Sequence, residues 1–189
     1  MKQTTNSARS HRSACRRLTR GLTLIELLCF VSVTVATLGA SLPGLRGFSL
    51  NQRLQAATSI LETEVQLAKS LAAAQGQTVR LAIEPTTGGT CMLIHSGPRR
   101  GCECDAQGNA VCTGAATVLH VRHHDATTGV RVTSVRQSIA FSADRGTVTP
   151  TATIKLEDEK GRTLHQVVNV MGRTRTCSPL SAVAGFPAC

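Results

Sequence analysis

Tryptophan and tyrosine are absent from this 189-residue sequence, and only four phenylalanines occur, Phe30, Phe48, Phe141 and Phe186. So small an aromatic set offers no platform on which unpaired bases could stack and little to line a cofactor pocket. No Gly-rich loop ending in Lys-Ser or Lys-Thr is present, so the chain carries no phosphate-binding motif with which to drive its own assembly. No spacing places a nucleophile beside a base, and neither enzymatic activity nor a cofactor is expected. Acids are scarce too: 11 Asp and Glu face 21 Lys and Arg, a formal net charge of +10.

That excess is unevenly spread. Lys2, Arg9, Arg12, Arg16, Arg17 and Arg20 all precede Gly21, in a stretch without acids and rich in Ser and Thr, which reads as a cytoplasmic targeting leader over residues 1–21. Beyond it, 15 Lys and Arg stand against 11 acids, so bulk charge alone does not indicate a nucleic-acid partner. Leu22–Leu42 is mostly apolar with Glu26 as its only charge. As helix it would extend roughly 30 Å, enough to cross a bilayer. The leader's charge would hold the N-terminus in the cytoplasm and send the rest to the periplasm. A carboxylate within such a span costs at least a few kcal/mol. Glu26 therefore needs a partner, unless it is a tolerated acid at the interfacial end of a plain signal anchor.

Leu54, Ala57, Ile60, Leu61, Val65, Ala68, Leu71 and Ala72 recur at helical spacing among good helix formers. They predict an amphipathic stretch over 46–76, continuing a helix over 22–45 and ending near Gln75-Gly76. Pro43-Gly44 and Gly47 predict a kink or an unwound turn between the two. From 77 to 189 the pattern is β-rich. Strands are predicted at 78–83, 91–95, 117–122, 130–136, 138–141, 152–156 and 164–170, the last two joined as a hairpin across the polar turn Glu157–Arg162. The fold class is α+β.

In Gly21-Leu22-Thr23-Leu24-Ile25-Glu26 the glycine comes before the apolar run, whereas an ordinary secretory signal is cut after it. A basic leader, this glycine, the run and a glutamate just inside it resemble the prepilin peptidase site of type IV pilins and type II secretion pseudopilins. The resemblance implies cleavage by prepilin peptidase between Gly21 and Leu22, methylation of the new Leu22 amine, and pairing of Glu26 with the N-terminus of a neighbouring subunit during assembly. Ser138-Ile139-Ala140-Phe141-Ser142-Ala143-Asp144-Arg145-Gly146, followed by strand, turn, strand and Gly172-Arg173, resembles the GspH/FimT branch of minor pilins and pseudopilins. That implies a pilin fold, with a long N-terminal helix, its first half transmembrane, packed on a C-terminal antiparallel β-sheet domain. The implied partners are other major and minor pilins, the pilus assembly platform and the inner membrane. The β-rich domain would be periplasmic, then at the cell surface once assembled.

Cys15 lies in the leader and Cys29 in the apolar run, which leaves Cys91, Cys102, Cys104, Cys112, Cys177 and Cys189. An even number in an oxidising compartment predicts disulfides. The preferred pairing closes the tail with Cys177–Cys189 and joins the other four within 91–112. Cys102 and Cys104 would take different partners, since a bridge across one residue would be strained. Zinc held by Cys91, Cys102, Cys104 and Cys112 is the alternative, although the spacing matches no common zinc pattern. His120, His123, His124 and Asp125 read as a solvated strand end, and Glu157-Asp158-Glu159 as a solvated turn, so no metal is expected.

Gly172-Arg173-Thr174-Arg175 follows the last predicted strand. Residues two apart in an extended segment face one way, so Arg173 and Arg175 would project together. With Thr174 and Thr176 hydroxyls beside them and a glycine allowing close backbone approach, they suit phosphate oxygens. The tetrapeptide resembles the C-terminal Gly-Arg-x-Arg motif of FimT-type minor pilins, which bind DNA in natural transformation. That implies contact of Gly172, Arg173, Thr174 and Arg175 with the backbone of double-stranded DNA, with Arg99 and Arg100 adding charge to the same surface. The plainer reading pairs these arginines with Asp144 or Glu157, or has them guard a sheet edge. The other class of function is a GspH-like pseudopilin of type II secretion, or a priming minor pilin, with a purely structural role.

Overall fold

The computed structural model describes residues 23–181 and 183–189. Gly21, Leu22 and Cys15 lie outside the described residues. The chain divides between Leu42 and Pro43 into two compact units, and one helix, α1 (Leu24–Gln75), runs through the division. Thr23 caps its start: the Glu26 amide donates to Thr23 Oγ1 at 3.3 Å. The helix continues without a break through Pro43, Gly44 and Gly47, so the unwound turn expected there is absent. Proline removes one amide donor, and the flanking turns keep their own bonds.

In the first unit Leu24, Leu28, Phe30 and Leu38 are exposed, and Cys29 is a free thiol. Among the described residues, no helix is long and apolar enough to cross a membrane. Leu22, where the predicted span begins, is not one of them.

In the second unit α1 buries one stripe, with Leu54, Ala57, Leu61, Val65, Ala68 and Ala72 inside and Ile60 and Leu71 at its margin. Every third or fourth residue faces inward, as the sequence predicts, and each buried leucine contributes roughly 1.5–3 kcal/mol. The helix stops at Gln75 because Gly76 takes φ +63°, a left-handed turn that closes helices.

The stripe packs on two antiparallel sheets rather than one. The larger has the order β5-β2-β1-β7-β8, built from β1 (Val79–Thr86), β2 (Gly89–Ser96), β5 (Thr117–Asp125), β7 (Ser138–Phe141) and β8 (Val148–Thr149). The smaller has the order β11-β10-β9-β6, from β6 (Val130–Ser134), β9 (Ala152–Asp158), β10 (Thr163–Val168) and β11 (Thr174–Cys177). Leu81, Ile94 and Phe141 of the first sheet and Ile154, Leu156 and Leu164 of the second share one core with the helix. The expected β9–β10 hairpin is present, with Leu156 opposite Leu164. Its turn is closed by Asp158, whose carboxylate accepts from the Lys160 and Arg162 amides at 3.0 and 2.9 Å.

A two-stranded flap, β3 (Cys102–Cys104) and β4 (Ala110–Cys112), lies on the other side of the larger sheet. It explains why β2 is buried on both faces: Met92 and Ile94 join the main core, while Cys91 and Leu93 pack under the flap. Two disulfides hold it, Cys91–Cys104 and Cys102–Cys112. The Cys104 amide also donates to Glu84 Oε2 at 2.7 Å. Neighbouring Cys102 and Cys104 thus take different partners, and no thiol of the four is left to ligate zinc. The third disulfide is Cys177–Cys189.

Candidate nucleic-acid interface

The Gly-Arg-Thr-Arg segment forms the tip and outgoing strand of the β10–β11 hairpin. Asn169 organises the tip: the Met171 and Arg173 amides both donate to its Oδ1 at 2.9 Å, and the Gly172 amide donates to its carbonyl at 2.9 Å. Gly172 has φ +69°, and a Cβ there would lie 3.1 Å from Val148 Cγ2. Its lack of a side chain therefore serves the turn and its packing against β8. Gly172 is buried, so it does not offer the open backbone the sequence suggests.

Beyond the tip, Thr174 pairs with Val168 and Arg175 with Val167. Strand alternation turns Thr174 toward the helix, where its hydroxyl donates to Glu62 Oε1 at 3.0 Å. Thr174 and Thr176 are half-buried, while Arg173 and Arg175 are exposed. The hydroxyls therefore do not flank the guanidiniums as expected; they lie on the opposite face. Among the described residues, neither arginine has an ion-pair partner, and Asp144 and Glu157 are not paired with them.

Two restraints fix this strand. The Cys177–Cys189 bridge folds the tail back, so that the Ser178 amide donates to the Pro187 carbonyl at 2.8 Å and Val183 enters the core. At the other end Lys69 of α1 donates from Nζ to the Met171 carbonyl at 3.0 Å, setting a third cation beside the tip. Sequence reasoning missed Lys69. Its only local signal is a position next to buried Ala68, and nothing there points to a carbonyl more than a hundred residues further along the chain.

Arg99 and Arg100 are exposed in the loop after β2. Arg99 lies near Arg80, whose guanidinium is pushed below its ordinary value by burial and by Arg99, and which donates from Nε to the Gly97 carbonyl at 3.2 Å. β1 and β7 lie between β2 and β8, the strand that touches the Gly172 turn, so this is a second basic group on a different sheet. The histidines do not converge on a metal. His120 faces Glu64 and His124 Nε2 bonds the Val130 carbonyl at 3.0 Å; among the described residues no cluster has the makings of a metal site.

His165 stands opposite Lys155 on β9 and Cys177 on β11. Burial, and then the Lys155 ammonium, hold its imidazole below the usual histidine value. Lys155→Gln should therefore move the His165 midpoint upward in an NMR titration. An unmoved midpoint would assign the whole depression to burial.

The family described as type II transport protein GspH matches residues 57–172. The match covers the buried stripe of α1 from Ala57 onward, both sheets up to β10 and the glycine of the hairpin tip, and stops just before Arg173. No curated protein and no solved structure gives a significant match.

Proposed function

Because the chain belongs to the GspH family, which matches more than half of it, we propose that it is a minor type IV pilin that binds the phosphate backbone of duplex DNA for uptake in natural transformation. A pilin-like or pseudopilin-like role, with assembly beside other pilins, follows from the family itself. The DNA reading is carried by one observation: Arg173 and Arg175 stand exposed and unpaired by any described acid, on a hairpin held by Asn169, Lys69 and a disulfide. A backbone already fixed by these restraints needs no further ordering when its guanidiniums engage phosphates, so more of the contact energy appears as affinity.

The N-terminal half supplies the placement. Large apolar side chains are exposed along α1 from Leu24 to Leu38, with Glu26 in its first turn. Lipid before assembly, and neighbouring subunits' helices after it, would cover that surface. In this reading prepilin peptidase cuts between Gly21 and Leu22, the Leu22 amine is methylated, and Glu26 meets the N-terminus of the next subunit. The inner membrane holds the chain until the assembly platform extracts it.

The full mature chain, held in nanodiscs of zwitterionic lipid and titrated with labelled duplex DNA, should show binding whose logarithm falls linearly with log salt, with a slope of at least about −2. The second reading, a pseudopilin with a purely structural role, is favoured by the type II transport description of the family. Absence of salt-sensitive binding, together with lost secretion and intact transformation in a deletion strain, would establish it instead.

A further inference from the structure

The strand register assigns a whole outer face to the smaller sheet. Arg175, Val167 and Thr153 lie in one cross-strand row; Cys177, His165, Lys155 and Thr133 form the next; Thr163, Glu157 and Arg131 form the third. The alternate residues Ile154, Leu156, Leu164 and Val168 are buried against the helix, so these rows face away from it. Arg131, Lys155 and Arg175 are exposed and, among the described residues, form no ion pair. The corresponding face of the larger sheet is covered by the disulfide-bound flap. On this face the folded-back tail covers only the end of the middle row, where Cys177 is buried beneath its bridge to Cys189, and Arg131, Lys155 and Arg175 stay exposed.

We propose that the duplex lies across this outer face, with Lys155 and Arg131 holding phosphates in addition to Arg173 and Arg175. The proposal rests on the DNA reading above and extends its site from a sheet edge to a surface. Spacing supports it. At about 4.8 Å between strands and about 3.3 Å between residues, Lys155 lies about 12 Å from Arg175, and Arg131 about 20 Å, along one diagonal. The major groove is about 12 Å wide, so Arg175 and Lys155 are placed to meet the phosphate rows on its two sides. Val167 and Thr153 fill the row of Arg175 with small uncharged side chains. Glu157 is the acid in these three rows, set between Arg131 and Thr163, and opposes the phosphates from within the site.

The test uses the full mature chain in zwitterionic nanodiscs and fluorescence anisotropy with duplex DNA over a range of salt. Lys155→Gln and Arg131→Gln should each weaken binding roughly three- to tenfold and flatten the salt slope by about 0.9. Glu157→Gln should tighten binding, a gain that damage to the fold would not produce. Unchanged melting temperatures would confirm that these exposed substitutions leave the fold intact. If Arg173→Gln with Arg175→Gln weakens binding while Lys155→Gln, Arg131→Gln and Glu157→Gln all leave affinity and slope unchanged, the duplex stays at the edge and this placement is wrong. If the paired Arg173 and Arg175 substitution itself has no effect, the DNA reading beneath it fails. A face occupied by a neighbouring pilin would give the first of these outcomes, with defective assembly of the Lys155→Gln and Arg131→Gln chains in cells.

Discussion

Replacing Arg122 with alanine lowers the unfolding free energy of the β-rich unit by about 3 kcal/mol. The Glu64 carboxylate, on the buried side of α1, is completely enclosed. Its Oε1 accepts from Arg122 Nε and lies 3.4 Å from His120 Nε2, while Oε2 is buried without a partner. The Arg122 side chain is itself 43% exposed, so losing its own contacts matters less than the lone carboxylate left behind. Water cannot reach that charge, and His120 offers it one nitrogen in place of a guanidinium. Glu64→Gln added to Arg122→Ala should therefore recover most of the loss, because an amide needs no counter-ion. Far-UV circular dichroism melts of the full chain in detergent should show the single variant shifted down by roughly 6–12 °C. A shift of less than about 2 °C would mean that the ion pair does not support the helix-to-sheet contact.

Exchanging Arg173 and Arg175 together for glutamine should weaken duplex binding by about a hundredfold and flatten its salt slope by about 1.8, the share of two phosphate contacts. Each charge-assisted bond of this kind is worth about 1.5 kcal/mol or more, and two such losses correspond to that factor. Stability should not change, since both side chains are exposed and unpaired among the described residues. Arginine-to-lysine exchanges keep the charge but lose the planar fork, and should fall between. Asn169→Ala should reproduce part of the loss without touching a cation, because its Oδ1 holds the Met171 and Arg173 amides in place. In cells, transformation should drop while piliation persists. Equal affinity in the paired variant would rule out this hairpin as the DNA contact.

The strands that escaped prediction show where local pattern is silent. β3 and β4 are three residues each and held by disulfides, β8 is two residues long, and β11 reads Thr-Arg-Thr-Cys, a polar segment with no hydrophobic alternation. Each is a strand because the neighbouring strand along the chain supplies its ladder, which no apolar alternation of its own announces. The same limit governs the candidate site. Arg173 and Arg175 were legible as a same-side pair because alternation is a property of any extended chain. That Thr174 turns inward to Glu62 and that Gly172 is buried under Val148 and Lys69 depend on which side the helix occupies, and that Arg99 lies near Arg80 depends on how β1 and β2 pair.

Sequence alone therefore determined the buried stripe of α1, its stop at Gly76 and the seven strands rich in apolar residues, and favoured the pairing of the tail cysteines without fixing it, because period and turn chemistry act within a few residues. Only the tertiary structure decided the division into two sheets, the flap over β2, the Lys69 prop beneath the hairpin tip, the Glu64–Arg122 pair and the exposed cations on the outer face of the smaller sheet. Strand register and burial are set by partners tens of residues away, and a charge becomes a site or a core contact according to what is packed against it.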